Sequence, residues 1–344
     1  MEAEKIIKAI HKKAGKIKKT LRFMELCGTH SQTVAEYAIK DILPKNIKLI
    51  SGPGCPVCVA DQTEIDIVSG LALAGIPIAA YGDAINVPGN LGSLDQDRQE
   101  GAKVYAVYDV AQALEIQKKE PKLVFWGLGF ETTTPPTAWG VRQGLNIFSS
   151  HKIFPPAMEA LLENKKIKVD GFIDPGHVSA IIGTEVYKKF KIPQVVSGFS
   201  ALDVLKTIDM LLDQIIYSNP KVQNEYTRLV KKDGNKKALA LINSTFKVVD
   251  SPWRGMGVIK KSGLKLKKKY QNQDAEFIYR DLIAKIKKDI KSKPSACRCG
   301  EVLQGLIDPQ ECPLFSKVCT PDNPQGACMV SVEGSCNVEY RFSN

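Results

Sequence analysis

Nine cysteines stand among the 344 residues, and their spacing suggests more chemistry than packing. Three lie early: Cys27 in Cys27-Gly-Thr-His30, and Cys55 and Cys58 in Gly52-Pro-Gly-Cys55-Pro-Val-Cys58. The Cys-Pro-Val-Cys pair can close a small disulfide, and a helix start there would favour its thiolate. The same spacing also serves half a zinc site or two buried thiols. Cys27 and His30 are close enough on one turn to face one site, with His30 able to ligate or to accept the thiol proton. The bland alternative is a buried thiol beside a helix-capping turn. Glu131 in Gly129-Phe-Glu131-Thr-Thr and His177 in Pro175-Gly-His177-Val-Ser179 complete the candidates. Taken singly, the carboxylate can cap a helix and the imidazole can satisfy backbone groups.

The other six, Cys297, Cys299, Cys312, Cys319, Cys328 and Cys336, fall within 40 residues. That density points to a metal site. Structural zinc takes CxxC knuckles, which are missing here, whereas iron–sulfur clusters need four thiolates and tolerate varied spacings. A [4Fe–4S] cluster is therefore favoured over zinc. Two thiols are left over, as a redox-active pair beside the cluster or as inert side chains.

These residues need elements to hold them. From about 21 to 200, short apolar runs alternate with helix-like segments, which predicts an α/β fold with parallel sheets. Strands are expected at 21–26, 46–51, 76–81, 103–108, 122–127, 170–174 and 193–198. A long helix is expected at 200–218, and a helical block over 220–241. Four of the candidate constellations directly follow predicted strands, where open α/β sheets bind ligands. One shared cleft is expected for Cys27, His30, Cys55, Cys58, Glu131 and His177. The Gly127-Leu-Gly129 pair lacks the third glycine of a nucleotide fingerprint. Two α/β lobes, 21–120 and 121–240, should precede a small cysteine-rich lobe, 241–344, joined by the N-terminal helix 1–20.

Hydrophobic residues at 44% and charged residues at 25% are ordinary for a compact globular protein. The N-terminal segment has no apolar stretch of a secretory signal, and no run is long enough to span a membrane, so a cytoplasmic protein is expected. In a reducing compartment cysteines serve metals or redox work more readily than structural disulfides. The net charge is +11. Its lysines concentrate in 5–19, 260–269 and 285–293; Ile6, Ile10, Ala14 and Ile17 share one face of the first block, leaving a solvated lysine side. Without aromatic platforms or a recognisable module, these lysines predict no nucleic-acid binding.

CGTH (27–30), GPGCPVC (52–58), GFETT (129–133), PGHVS (175–179), CRCGEVL (297–303) and CTPDNPQGACMVSVEGSC (319–336) together resemble the HypD family, in its motif order, from residue 21 onward. The resemblance implies a [NiFe]-hydrogenase maturation scaffold on which iron acquires CN and CO ligands. It places the family's cluster motif, Cx14Cx6Cx16C, on Cys297, Cys312, Cys319 and Cys336. Cys299 and Cys328 then become the redox pair, similar to ferredoxin:thioredoxin reductase. Transient iron would sit on the soft thiolate of Cys27 and on a cysteine of a HypC-type chaperone. A HypE-type partner would donate cyanide, and electrons would pass through Cys299/Cys328 to Cys55/Cys58. The chain would be monomeric within that complex. One departure stands out: Asp61 occupies a position where the family often has proline. The competing function is an iron–sulfur-dependent protein disulfide reductase, which uses Cys55 and Cys58 but leaves Cys27, Glu131 and His177 idle. A zinc-stabilised binding module would account only for the C-terminal lobe.

Overall fold

The computed structural model describes residues 2–291 and 295–342; Lys293, in the last lysine run, lies outside them. Two parallel sheets form the framework. In the first, β1 (Leu21–Glu25), β2 (Ile47–Ser51), β7 (Gly171–Pro175), β8 (Gln194–Ser197) and β9 (Val222–Asn224) lie in the order β2-β1-β7-β8-β9. The second orders β3 (Ile78–Tyr81), β4 (Val104–Val107), β5 (Val124–Gly129) and β6 (Ile147–His151) as β4-β3-β5-β6. All seven expected strands form. The cut expected near residue 120 does not coincide with a boundary between the sheets, because β5 beyond it pairs in register with β3, and β6 with β5. β5 is buried along its whole length, and a parallel strand of that kind needs neighbours and cover on both sides. The first sheet is thus built from two stretches of chain flanking the second.

Period-two alternation sorts the side chains of β1. Leu21 and Phe23 pack with Ile10 and Ala14 of the helix Glu2–Ala14 and with Val204, Ile208 and Leu211 of the helix Ala201–Ile216. Met24 and Leu26 face the other way, against Val302, Leu303 and the C-terminal cysteines. The cysteine-rich lobe therefore covers one face of the first sheet. In the second sheet, Ile78, Trp126 and Phe148 pack on Ile65, Val68 and Leu71 of the helix Gln62–Leu73.

Three elements depart from expectation. β6 is disguised by Ser149 and Ser150, which are buried and paired: Ser149 Oγ donates to the Leu264 carbonyl at 2.7 Å, and Trp126 Nε1 donates to Ser150 Oγ at 2.9 Å. The helical block expected over 220–241 is instead β9, a loop and a helix at Lys236–Thr245, capped by the Asn235 side chain after Gly234 turns the chain at φ +64°. The third is an antiparallel hairpin of β10 (Phe246–Trp253) and β11 (Gly257–Leu266). Lys247, Lys260 and Lys261 are exposed while Ile259, Ser262, Leu264 and Leu266 are buried, so the basic run conceals a strand.

Candidate functional site at the strand ends

Cys27 lies two residues past the end of β1 and stands at the N-cap of the helix Gly28–Glu36. Backbone N–H groups of Thr29 and His30 and the Thr29 hydroxyl favour its thiolate, but burial and the charge of Glu333 outweigh them and push the thiol up to about 11. Glu333 comes from the C-terminal lobe and accepts a 2.7 Å hydrogen bond from Thr29 Oγ1. Backbones crowd here: a Cβ on Gly28 would lie 2.3 Å from the Glu333 carbonyl oxygen, and one on Gly54 would lie 2.5 Å from the Cys27 nitrogen. Glycines at both places let the CGTH turn, the GPGC loop and the C-terminal lobe meet.

His30 does not turn its bonded nitrogen to the thiol. Its Nε2 donates to the Gly198 carbonyl at 3.0 Å, which leaves Nδ1 as the acceptor, buried and without a partner among the described residues. Burial lowers its pKa to about 4, so the ring is neutral. His30 and His177 both stack on Phe199, at centroid distances of 4.8 and 3.9 Å. His177 is exposed at the surface, and the charge of Glu333 reaches it as it reaches Cys27.

Glu131 arrives from the second sheet, just past β5. One carboxylate oxygen accepts from the Phe154 N–H at 3.0 Å, the other has no partner among the described residues, and burial pushes the group up to about 7. Next to it lies Tyr187, whose phenol is raised by burial and then by Asp174, with Glu131 and Cys27 adding to the effect. Asp174, at the end of β7, is fully buried with both oxygens unpartnered among the described residues, and burial keeps it protonated well above the usual range. Glu131, Asp174 and Tyr187 thus form a buried group of acids behind the Cys27 thiol, each holding its proton to a higher pH than usual.

Cys55 and Cys58 occupy a turn, not a helix start; the following helix begins at Gln62 and is capped by Asp61, whose side chain accepts the Thr63 N–H at 2.9 Å. The helix start therefore lies away from both sulfurs, and burial pushes the Cys58 thiol well up. The Cys58 backbone N–H donates to Cys55 Sγ at 3.3 Å. Beyond the loop the Cys58 thiol contacts Cys328, Cys328 contacts Cys299 and Cys336, and Cys299 contacts Cys297. All six C-terminal cysteines line one small cavity with Phe315, Gly326 and Met329. A Cβ on Gly326 would fall 2.5 Å from Cys297 Sγ, so the space beside that sulfur exists only for glycine. Backbone N–H groups of Arg298 and Gln325 point at Cys312 Sγ and Cys319 Sγ, at 3.5 and 3.3 Å. Among the described residues no three His, Cys, Asp or Glu side chains gather around a single metal ion.

The structure brings the candidates together, though not as an open cleft: Cys27, His30, Cys55, Cys58 and Glu131 are buried and only His177 is exposed. Asp174, Tyr187, Phe199 and Glu333 belong to the same site and escape the sequence reading. Asp174 alone carries a signal, since a carboxylate at the end of an apolar strand, two residues before Gly176-His177, has no reason to be buried as a packing residue.

These features define a class: a two-sheet α/β scaffold whose strand ends gather thiols and acids beneath a cysteine-lined C-terminal lobe. The chain belongs to the HypD family, whose profile, described as "Hydrogenase formation hypA family", matches residues 1–343. A putative hydrogenase expression/formation protein of Methanocaldococcus jannaschii is 44% identical, covering 98% of this chain and 96% of its own. The hydrogenase maturation factor HypD of Escherichia coli is 41% identical over 94% of this chain and 89% of its own, and that of Cupriavidus necator 39% over 93% and 89%. Among the described residues no helix is long and apolar enough to cross a membrane.

Proposed function

We propose that the protein is a cytoplasmic hydrogenase maturation scaffold on which an iron ion acquires cyanide and carbon monoxide, with Cys27 as the protein's thiolate ligand. The observation that carries this reading is the file of thiol contacts from Cys299 through Cys328 and Cys58 to Cys55, which ends beside the Cys27 backbone. Cys297, Cys312, Cys319 and Cys336 suit a [4Fe–4S] cluster, because they share an apolar cavity with N–H donors aimed at two of the sulfurs. A cubane takes one thiolate per iron and does not ask three to meet at one ion. A cluster held there would supply single electrons that return the disulfide left on Cys299 and Cys328 to the dithiol.

Cyanide reaches the site as a cyano group on a sulfur of a HypE-type donor. The Cys55/Cys58 dithiol reduces it: the sulfur–carbon bond accepts two electrons and breaks, the donor leaves as a thiolate, and cyanide passes to the iron. Cys55 and Cys58 close a disulfide and release two protons. Exchange with the Cys299/Cys328 dithiol restores them. A HypC-type partner supplies a further thiolate, and Asp174 and Tyr187 behind Cys27, held protonated by burial, add no unpaired negative charge to the pocket while the anion is delivered.

The test is Cys328→Ser, which removes an exchange partner and no proposed iron ligand. Infrared spectra of the variant co-purified with the HypC-type partner should keep Fe–CN and Fe–CO bands on preloaded iron. After that iron is passed on, the bands should not return. Recovery at the wild-type rate would contradict the thiol file.

A further inference from the structure

A polar groove of about 700 Å³ opens beside the cysteine cavity, lined by Gln62, Arg254, Cys297, Arg298 and Cys299, among others. Arg254 is held in it from the side of the CxxC loop. Its backbone N–H donates to the Val59 carbonyl at 3.0 Å, Nε donates to the Ala60 carbonyl at 2.9 Å, and Nη1 donates to Gln62 Oε1 at 3.0 Å. Nη2 is buried and has no partner among the described residues. A buried guanidinium donor left unpaired is costly unless an acceptor completes it. The hairpin tip carrying Arg254 also touches the cysteine-rich lobe: a Cβ on Gly255 would lie 2.2 Å from Gly300 Cα, and Gln304 Nε2 donates to the Gly255 carbonyl at 2.8 Å. The charge of Arg254 reaches both Cys297 and Cys299.

We propose that Arg254 is a positioning residue that clamps the Cys55–Cys58 loop to the Cys297–Cys299 segment and presents its free Nη2 to the sulfurs at the edge of the cysteine cavity, holding the reduction potential of the centre there up. This rests on the cluster reading of the proposed function. A positive hydrogen-bond donor beside a cluster stabilises its more negative, reduced form, so removing it makes reduction harder. Arg298, the other arginine lining the same groove among the described residues, pairs instead with Glu301.

The experiment compares the anaerobically purified wild type with Arg254→Gln and Arg254→Lys. Iron and sulfide are assayed, and reduction is followed by electron paramagnetic resonance across a potential titration. Wild-type iron and sulfide contents are expected in both variants. The midpoint should fall in Arg254→Gln and fall less in Arg254→Lys, which keeps the charge but not the fork. Full cluster content with an unchanged midpoint in both variants would overturn the assignment and leave the cluster reading standing. A wild type without iron and sulfide would instead overturn the cluster reading, and this inference with it. If Arg254→Gln fails to fold, Arg254→Lys decides alone, and a midpoint equal to that of the wild type then counts against the proposal.

Discussion

Glu131 shows how one buried side chain ties stability to pH. Its folded pKa is raised to about 7, above the ordinary 4.5, so it binds its proton more tightly folded than unfolded. Its contribution is therefore full below about 4.5, declines as pH rises, and is gone once the folded group ionises above about 7. The size of that decline is on the order of 3 kcal/mol. His30 acts with the opposite sign: its pKa is depressed to about 4, so its contribution is present above 6.5 and lost as pH falls through about 4. Glu131→Gln cannot ionise and keeps an oxygen for the Phe154 N–H. The unfolding free energy of the variant, relative to wild type, is expected to rise by that amount between about pH 5 and pH 8. Denaturant melts at several pH values measure it, and because His30 is common to both proteins it cancels from the difference. A flat difference would mean that Glu131 is ionised in the fold and that the neutral-acid picture behind Cys27 is mistaken.

At the scale of elements, Asp61 supplies what the helix Gln62–Leu73 needs, a side-chain acceptor for the Thr63 N–H. Asp61→Ala is expected to cost about 1 kcal/mol, read as a lower denaturant midpoint with an unchanged slope. No loss would show that the cap is idle. The helix matters to the site because Glu64 on it pairs with buried Lys152 at 2.9 Å, fixing the helix to the end of β6, while its first residue lies four positions past Cys58. Much of this was legible in the sequence. The apolar runs of β1, β2, β3, β4, β5, β7 and β8 marked themselves, and the motifs after β1, β2, β5 and β7 gave the site. β6 hid behind two serines whose hydroxyls are satisfied only by tertiary partners, and β11 hid among lysines whose exposure depends on the hairpin's twist and packing. Tyr187, Glu333 and Arg254 could not be read at all, because their meaning lies in what distant segments bring beside them.

Across the whole molecule, the chain leaves the first sheet, builds the second, returns, and then lays its cysteine-rich end over the first sheet's inner face. That path puts Glu333 and the C-terminal thiols against the CGTH and CxxC turns, and makes one buried region from four distant stretches of sequence. It also separates the labour of the thiols: Cys27 sits with the acids and histidines, whereas Cys58, Cys328 and Cys299 sit with the cysteine cavity. Ligation and electron delivery should therefore fail independently. The most direct measurement is the infrared spectrum of Cys27→Ser co-purified with the HypC-type partner, beside wild type prepared in the same way. A serine hydroxyl keeps the size but loses the soft donor, while a partner interface spread over many residues should survive the change. The account predicts a complex that still forms and carries no Fe–CN or Fe–CO bands, against clear bands in wild type; normal bands in the variant would contradict it.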